Sequence, residues 1–134
     1  MSLQGFSQEG PLTYKNGDTG VISSNYLATL TSTAGSVVAC GVGGVPVGVA
    51  DGDVAIGDYG TFRPLRGRVQ LVATPLFAIT AGQFVTTDAG GSVIADTGAT
   101  GTADARTVNT IGQAETAVTG DTGANCNLWV VCPK

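Results

Sequence analysis

Chemistry at a protein site needs side chains that hold or move charge, and this chain offers few of them. Its 134 residues include no histidine. That removes Ser-His-Asp and Cys-His catalysis together with the common zinc sites. The lysines are Lys15 and Lys134, both near the ends, so none can follow a glycine loop to reach a phosphate. Gly41-Val42-Gly43-Gly44 looks superficially like a nucleotide loop, but it leads into Val45-Pro46-Val47. That run reads as a strand, and phosphate cradling needs a helix N-terminus. The densest carboxylates are Asp51, Asp53 and Asp58. Their spacing fails the EF-hand pattern and lacks its bidentate Glu. They sit among glycines and alanines, where nothing apolar would hold one protonated as an acid. They read as turn-capping residues of a solvated loop. No catalytic residue, metal or cofactor is expected.

Three further groups carry two readings each. Cys40, Cys126 and Cys132 have no CxxC spacing, and they read as small buried hydrophobes. A Cys126–Cys132 bridge is disfavoured, because both would lie on one face of one extended strand, too far apart to join. Arg63, Arg66 and Arg68 flank Pro64 and Gly67. They are either charges that discourage pairing along a sheet edge or a cluster that grips carboxylates on a neighbouring protein. Trp129, within Leu128-Trp129-Val130-Val131, is expected in the core rather than on a ligand platform.

The elements that must position these residues follow from composition and pattern. Charged residues are 12% and apolar ones 43%, with 21 glycines. So many turn residues between short apolar runs imply an all-β fold, a small barrel or sandwich of short strands. A net charge of −4 with a pI near 4.3 opposes a phosphate backbone, so nucleic acid is not an expected partner. A membrane is not expected either, since no run approaches 18 apolar residues and no polybasic segment exists. The first residues show neither a basic n-region nor an apolar h-region, so no secretory leader is expected.

A GDxG turn recurs at Gly17-Asp18-Thr19-Gly20, Gly57-Asp58-Tyr59-Gly60 and Gly120-Asp121-Thr122-Gly123. Glycine accepts positive φ there and Asp caps the backbone. The last two copies extend backwards, Val47-Gly48-Val49-Ala50 matching Ile111-Gly112-Gln113-Ala114. This is a duplicated strand–loop–turn–strand unit, too short and too few-copied for a solenoid. Alternation and β-branched content predict strands at Tyr26 to Thr31, Ser36 to Cys40, Val45 to Ala50, Gly67 to Ala73, Gln83 to Thr87, Ser92 to Ala95, Val108 to Ala114 and Asn127 to Cys132. Asp88 to Gly91 reads as a hairpin loop, Gly98 to Ala105 as an exposed loop, and Thr74 to Ile79 as the one place for a short helical turn. Residues 1–13 lack periodicity and contain Pro11, so they read as an extended arm. The single β domain is then expected over residues 14–134.

The order of these features resembles a family of small bacteriophage capsid decoration (cement) proteins, the DUF2190 type. The matching runs are Val47-Gly48-Val49-Ala50 through Gly57-Asp58-Tyr59-Gly60 to Gly67-Arg68-Val69-Gln70-Leu71, then Ala81-Gly82-Gln83-Phe84-Val85-Thr86-Thr87-Asp88-Ala89-Gly90-Gly91, then Ile111-Gly112-Gln113-Ala114, Gly120-Asp121 and Trp129-Val130-Val131. Gln83 stands where the family usually has an acidic residue. The resemblance implies a homotrimer on the outer surface of the virion, made in the host cytoplasm, that bridges capsomers of the major capsid protein. Symmetry-repeated weak contacts suit such a cement. An arm adding a strand to a capsid sheet edge would make Leu3, Phe6, Pro11 and Leu12 its contacts, beside Arg63, Arg66 and Arg68. The competing expectation is a head-fibre or tail adhesin module that binds glycans.

Overall fold

Where an extended chain buries both faces, successive residues enter two different cores. The strands of this protein do so in a computed structural model that describes residues 12–96, 110–120 and 127–132. Ten short strands form: β1 (Leu12–Asn16), β2 (Leu27–Leu30), β3 (Ser36–Ala39), β4 (Gly48–Ala50), β5 (Tyr59–Arg63), β6 (Gly67–Val72), β7 (Phe84–Thr87), β8 (Val93–Ala95), β9 (Gly112–Ala114) and β10 (Asn127–Cys132). The first five close a barrel in the order β1-β3-β2-β4-β5, and the other five form a sheet in the order β6-β10-β9-β7-β8. The fold is all-β, as composition implied.

The two halves are the same structure twice. β2 pairs with β4 through Leu27↔Val49 and Ala28↔Gly48, and β7 pairs with β9 through Phe84↔Gln113 and Val85↔Gly112. Ala28↔Ala39 of the β2–β3 hairpin matches Val85↔Ala95 of β7–β8. Ala50↔Phe62 matches Ala114↔Val130. Parallel closure between Asn16 and Val37 reappears as the bridge Ala73↔Val93. The bridge Ile22↔Val54 reappears as Ile79↔Val118. Even the turn before the second strand repeats, with positive φ at Asn25 (72°) and at Gly82 (93°). The duplication visible in the sequence as about twenty residues therefore extends through both halves.

Alternation sorts the side chains. Ile22, Ala28, Val37, Ala50, Val54 and Phe62 fill the first barrel. Their neighbours Leu27, Cys40 and Val49 face outward into a larger core with Val69, Leu71, Val85, Val93, Leu128 and Val130 of the second half. Each buried Val, Leu or Phe contributes on the order of 1.5–3 kcal/mol relative to exposure. The duplicated Gly-x-Ala strands are glycine for a spatial reason. A Cβ on Gly48 would lie 2.8 Å from the Arg63 carbonyl oxygen, and one on Gly112 would lie 2.4 Å from that of Val131.

Several sequence expectations need adjustment. β1 starts at Leu12, so Leu12 and Thr13 are barrel residues rather than the end of an arm. The second GDxG runs directly into β5, since Tyr59 and Gly60 are already paired with Lys15 and Tyr14; the strand after that turn is β5 and not β6. No helix begins at Pro75. Instead Leu76 takes φ 73° in a turn, and the one described helical turn is 3-10, at Ala89–Gly91 inside the expected hairpin loop. β4 and β9 are shorter than their predicted runs, whereas β10 matches in full. Leu3, Phe6, Pro11, Cys126, the Gly98 to Ala105 loop and most of the third GDxG lie outside the described residues.

Candidate functional site

The arginines sit where β5 turns into β6. Pro64 forbids the next ladder bond, and the Arg66 N–H donates to the Pro64 carbonyl at 3.0 Å to make the bend. This places Arg63 at the end of the first barrel and Arg68 on β6, the edge strand of the second half. Arg63 directs its Nε to 3.9 Å from Asp51 Oδ1. That nitrogen is buried and makes no hydrogen bond. Arg68 pairs with Glu115, and its guanidinium carbon lies 4.0 Å from the centre of the Trp129 ring. Arg63 and Arg68 therefore each answer a carboxylate of their own chain, on different halves. Arg66 is exposed between them. Arg63 and Arg68 thus do not converge as a single charged fork. Both ion pairs are partly solvated, so each is worth about 0–1 kcal/mol.

Trp129 is a correction. Alternation along β10 buries Leu128, Val130 and Cys132 and turns Trp129 outward, half-buried. Its ring is covered by Arg68 rather than by core residues. Aliphatic neighbours in sequence misled here, because a period of two sends them to the opposite face. The stack is a cation–π contact worth about 0.5–1 kcal/mol at such exposure.

The aspartates do what their turns require. Asp18 Oδ1 accepts from the Thr19 N–H at 2.7 Å and its Oδ2 from the Ala39 N–H at 2.9 Å, while Asp53 Oδ1 accepts from the Ser24 N–H at 2.9 Å. Asn16, fully buried at 1% exposure, ties the first GDxG to the barrel. Its Nδ2 donates to the carbonyls of Gly20 and Val54, and its Oδ1 accepts from Asp18. The Gly41–Gly44 loop closes through Gly44 N–H to the Gly41 carbonyl at 3.0 Å, but Val45-Pro46-Val47 after it is not a strand, and β4 begins only at Gly48. Cys40 and Cys132 are buried free thiols. Burial raises both, Cys132 to about 11, which keeps the thiolate scarce at neutral pH and the sulfur unreactive.

One concavity was not foreseen. A cleft of about 470 Å³ on the outer face of the first barrel is lined by Thr13, Lys15, Thr33, Ser36, Tyr59 and the Ala34-Gly35 turn. Lys15 and Tyr59 stand opposite each other across β1 and β5. Tyr59 is 71% exposed. The signal for it in the sequence is weak, because Tyr59 belongs to a turn motif by type and Lys15 stands out only as a lysine near the end of the chain.

No known protein family and no curated protein matches the chain. Among solved structures it is similar to the head fiber gp8.5 N base of bacteriophage phi29, with a TM-score of 0.67 over 91% of this chain and 93% of that one. Sequence identity between them is 15%. Agreement over nearly the full length of both chains makes the all-β fold described above one that a phage head protein also adopts.

Proposed function

We propose that this chain is a structural protein attached to the outside of a bacteriophage head, where it decorates and stabilises the capsid as a homotrimer bridging capsomers. The observation that carries this reading is the fold shared almost end to end with the base of a phage head fiber. The ordered Gly-x-Ala and GDxG motifs support it from an independent direction. The residue chemistry fits: the chain has no histidine, and Arg63, Arg68, Asp51 and Asp18 serve internal pairs and turns. Its partners would be the major capsid protein and other copies of itself, with neither nucleic acid nor membrane involved. The word "fiber" in the neighbour's description favours a second reading, in which this chain is the base on which a head fibre stands.

Reconstruction of virions labelled with antibody against this chain tests both. Low, regularly spaced caps at the junctions between capsomers are expected for decoration. Density continuing outward from the domain would select the fibre base. Absence of the chain from particles would end both readings.

A further inference from the structure

The cleft on the outer face of the first barrel gathers polar groups that the fold leaves idle. Thr13 and Lys15 share the outward face of β1, because residues two apart in a strand point the same way. Tyr59 stands opposite Lys15 on β5, and Ser36 of β3 is paired with Lys15 on its other side. The turn between β2 and β3 is closed by other groups. The Thr31 hydroxyl reaches the carbonyls of Thr33 and Ser36 and accepts from the Thr33 N–H, and the Ser36 N–H donates to the Thr33 carbonyl. The hydroxyls of Thr13, Thr33, Ser36 and Tyr59 make no hydrogen bond among the described residues. Ser36 is the most telling of them, because it is only 8% exposed and a buried hydroxyl left without a partner is costly. Its Oγ sits so close to Gly17, another residue of the cleft, that a Cβ on Gly17 would collide with it. The first GDxG motif thus opens on glycine where a hydroxyl needs the space.

The charge in the cleft is idle too. Arg63 and Arg68 each answer a carboxylate of their own chain, but Lys15 has no carboxylate partner among the described residues. The duplicate half carries Val72 and Asn127 in the places of Lys15 and Tyr59, so the strand pairing itself requires neither. A volume of about 470 Å³ suits a small ligand. The lining selects its chemistry. Each free hydroxyl both donates and accepts, which matches a ligand bearing several hydroxyls. The Tyr59 ring, 71% exposed, offers a flat apolar face with a polar tip. An ammonium without a partner calls for an anion. A peptide is poorly served there, because β1 to β5 close on themselves and leave no free strand edge for its backbone to extend. Nucleic acid would need more than one cation on a chain of net charge −4.

We propose that this cleft binds an acidic sugar, a pyranose carrying a carboxylate. Lys15 holds the carboxylate, the Tyr59 ring covers the C–H face of the sugar, and the hydroxyls of Thr13, Thr33 and Ser36 exchange hydrogen bonds with those of the ring. The site goes beyond the structural role proposed above, and it is measured on the free chain, so its failure leaves that role standing.

The test titrates the methyl glycosides of glucuronic, galacturonic and N-acetylneuraminic acids into the isotopically labelled full chain, followed by amide shifts in NMR. At least one should give saturable shifts centred on Lys15, Gly35, Ser36 and Tyr59. Methyl glucoside, which lacks the carboxylate, and acetate, which lacks the ring, should each bind about tenfold or more weakly. Lys15→Gln should cost the acidic sugar about tenfold and leave methyl glucoside unchanged, whereas Tyr59→Thr should weaken both. Both side chains are exposed, and the amide spectrum reports whether each variant is folded. No saturable shift with any of the three sugars, or shifts centred elsewhere, would overturn the proposal. So would an equal response to acetate or methyl glucoside, or undiminished binding by Lys15→Gln. Should Tyr59→Thr not fold, the Lys15→Gln titration and the comparison of ligands decide alone.

Discussion

The Gly-x-Ala strands make a quantitative claim about space. Replacing Gly112 with Ala puts a methyl 2.4 Å from the Val131 carbonyl oxygen and 2.9 Å from Val130 Cγ1. Ordinary contact begins near 3.4 Å, so β9 and β10 must part by roughly 1 Å along a stretch where Val131 pairs with Gln113. Overpacking of this kind costs about 1–3 kcal/mol. The upper part of that range applies, because the obstructing atom is main chain held in a ladder. Alanine returns about 0.4–1 kcal/mol by restricting the unfolded chain. The net loss is then about 2 kcal/mol, a fall in Tm of roughly 6–10 °C at about 3–5 °C per kcal/mol for a domain of this size. Gly48→Ala, whose nearest atom is the Arg63 oxygen at 2.8 Å, should lose about half as much. Gly20→Ala is the control, with open space around it and no positive φ, and should be neutral or slightly stabilising. Urea unfolding followed by circular dichroism reads all three. If Gly112→Ala is as stable as Gly20→Ala, the close approach that explains the duplicated motif is wrong.

Other outcomes follow from the same geometry. Asn16→Ala should cost about 2–4 kcal/mol by denaturant midpoint, since it strands the Gly20 and Val54 carbonyls and the Asp18 N–H around a buried side chain. Arg68→Ala should lower stability by less than about 1 kcal/mol. It should also shift the emission of Trp129, the single tryptophan, to the red as the ring is uncovered; an unchanged spectrum would contradict the stack. Cys132 should make stability depend on alkaline pH. Burial raises its thiol from 9.0 to about 11, so the folded chain keeps a proton that the unfolded chain releases. Stability should hold below pH 9 and fall between pH 9 and 11, and Cys132→Ser should flatten that fall.

Strand positions were legible where apolar and polar residues alternate in one run, as in Asn127 to Cys132. They were obscured where glycine and aspartate carried two meanings. Tyr59 and Gly60 belong to a turn motif by type and to a strand by pairing. Only the nearby Val54 side chain, 2.3 Å from a Cβ placed on Gly60, explains why glycine stands within a strand. Leu12 and Thr13 looked like the end of an arm because the first thirteen residues lack periodicity and Pro11 stands just before them. Asn16, buried at the end of β1, had no sequence signal, since one of the carbonyls it meets there, that of Val54, lies 38 residues along the chain. Trp129 was misplaced for the opposite reason, its apolar neighbours lying on the other face. The full duplication escaped because its halves share geometry more than residues: Phe62 and Val130 occupy one position, as do Asn25 and Gly82.

That duplication also governs how the chain can reach its native state. Every described strand pairing lies within one half, so the first barrel needs no residue beyond Arg63 to complete its ladders. Keeping partners near in sequence lowers contact order and hastens pairing. During synthesis the first half can close while the second is still being made. The outer face bearing Leu27 and Val49 would then wait, apolar and uncovered, for its partner half to arrive. In that interval a crowded cell could offer it the wrong half, from another chain.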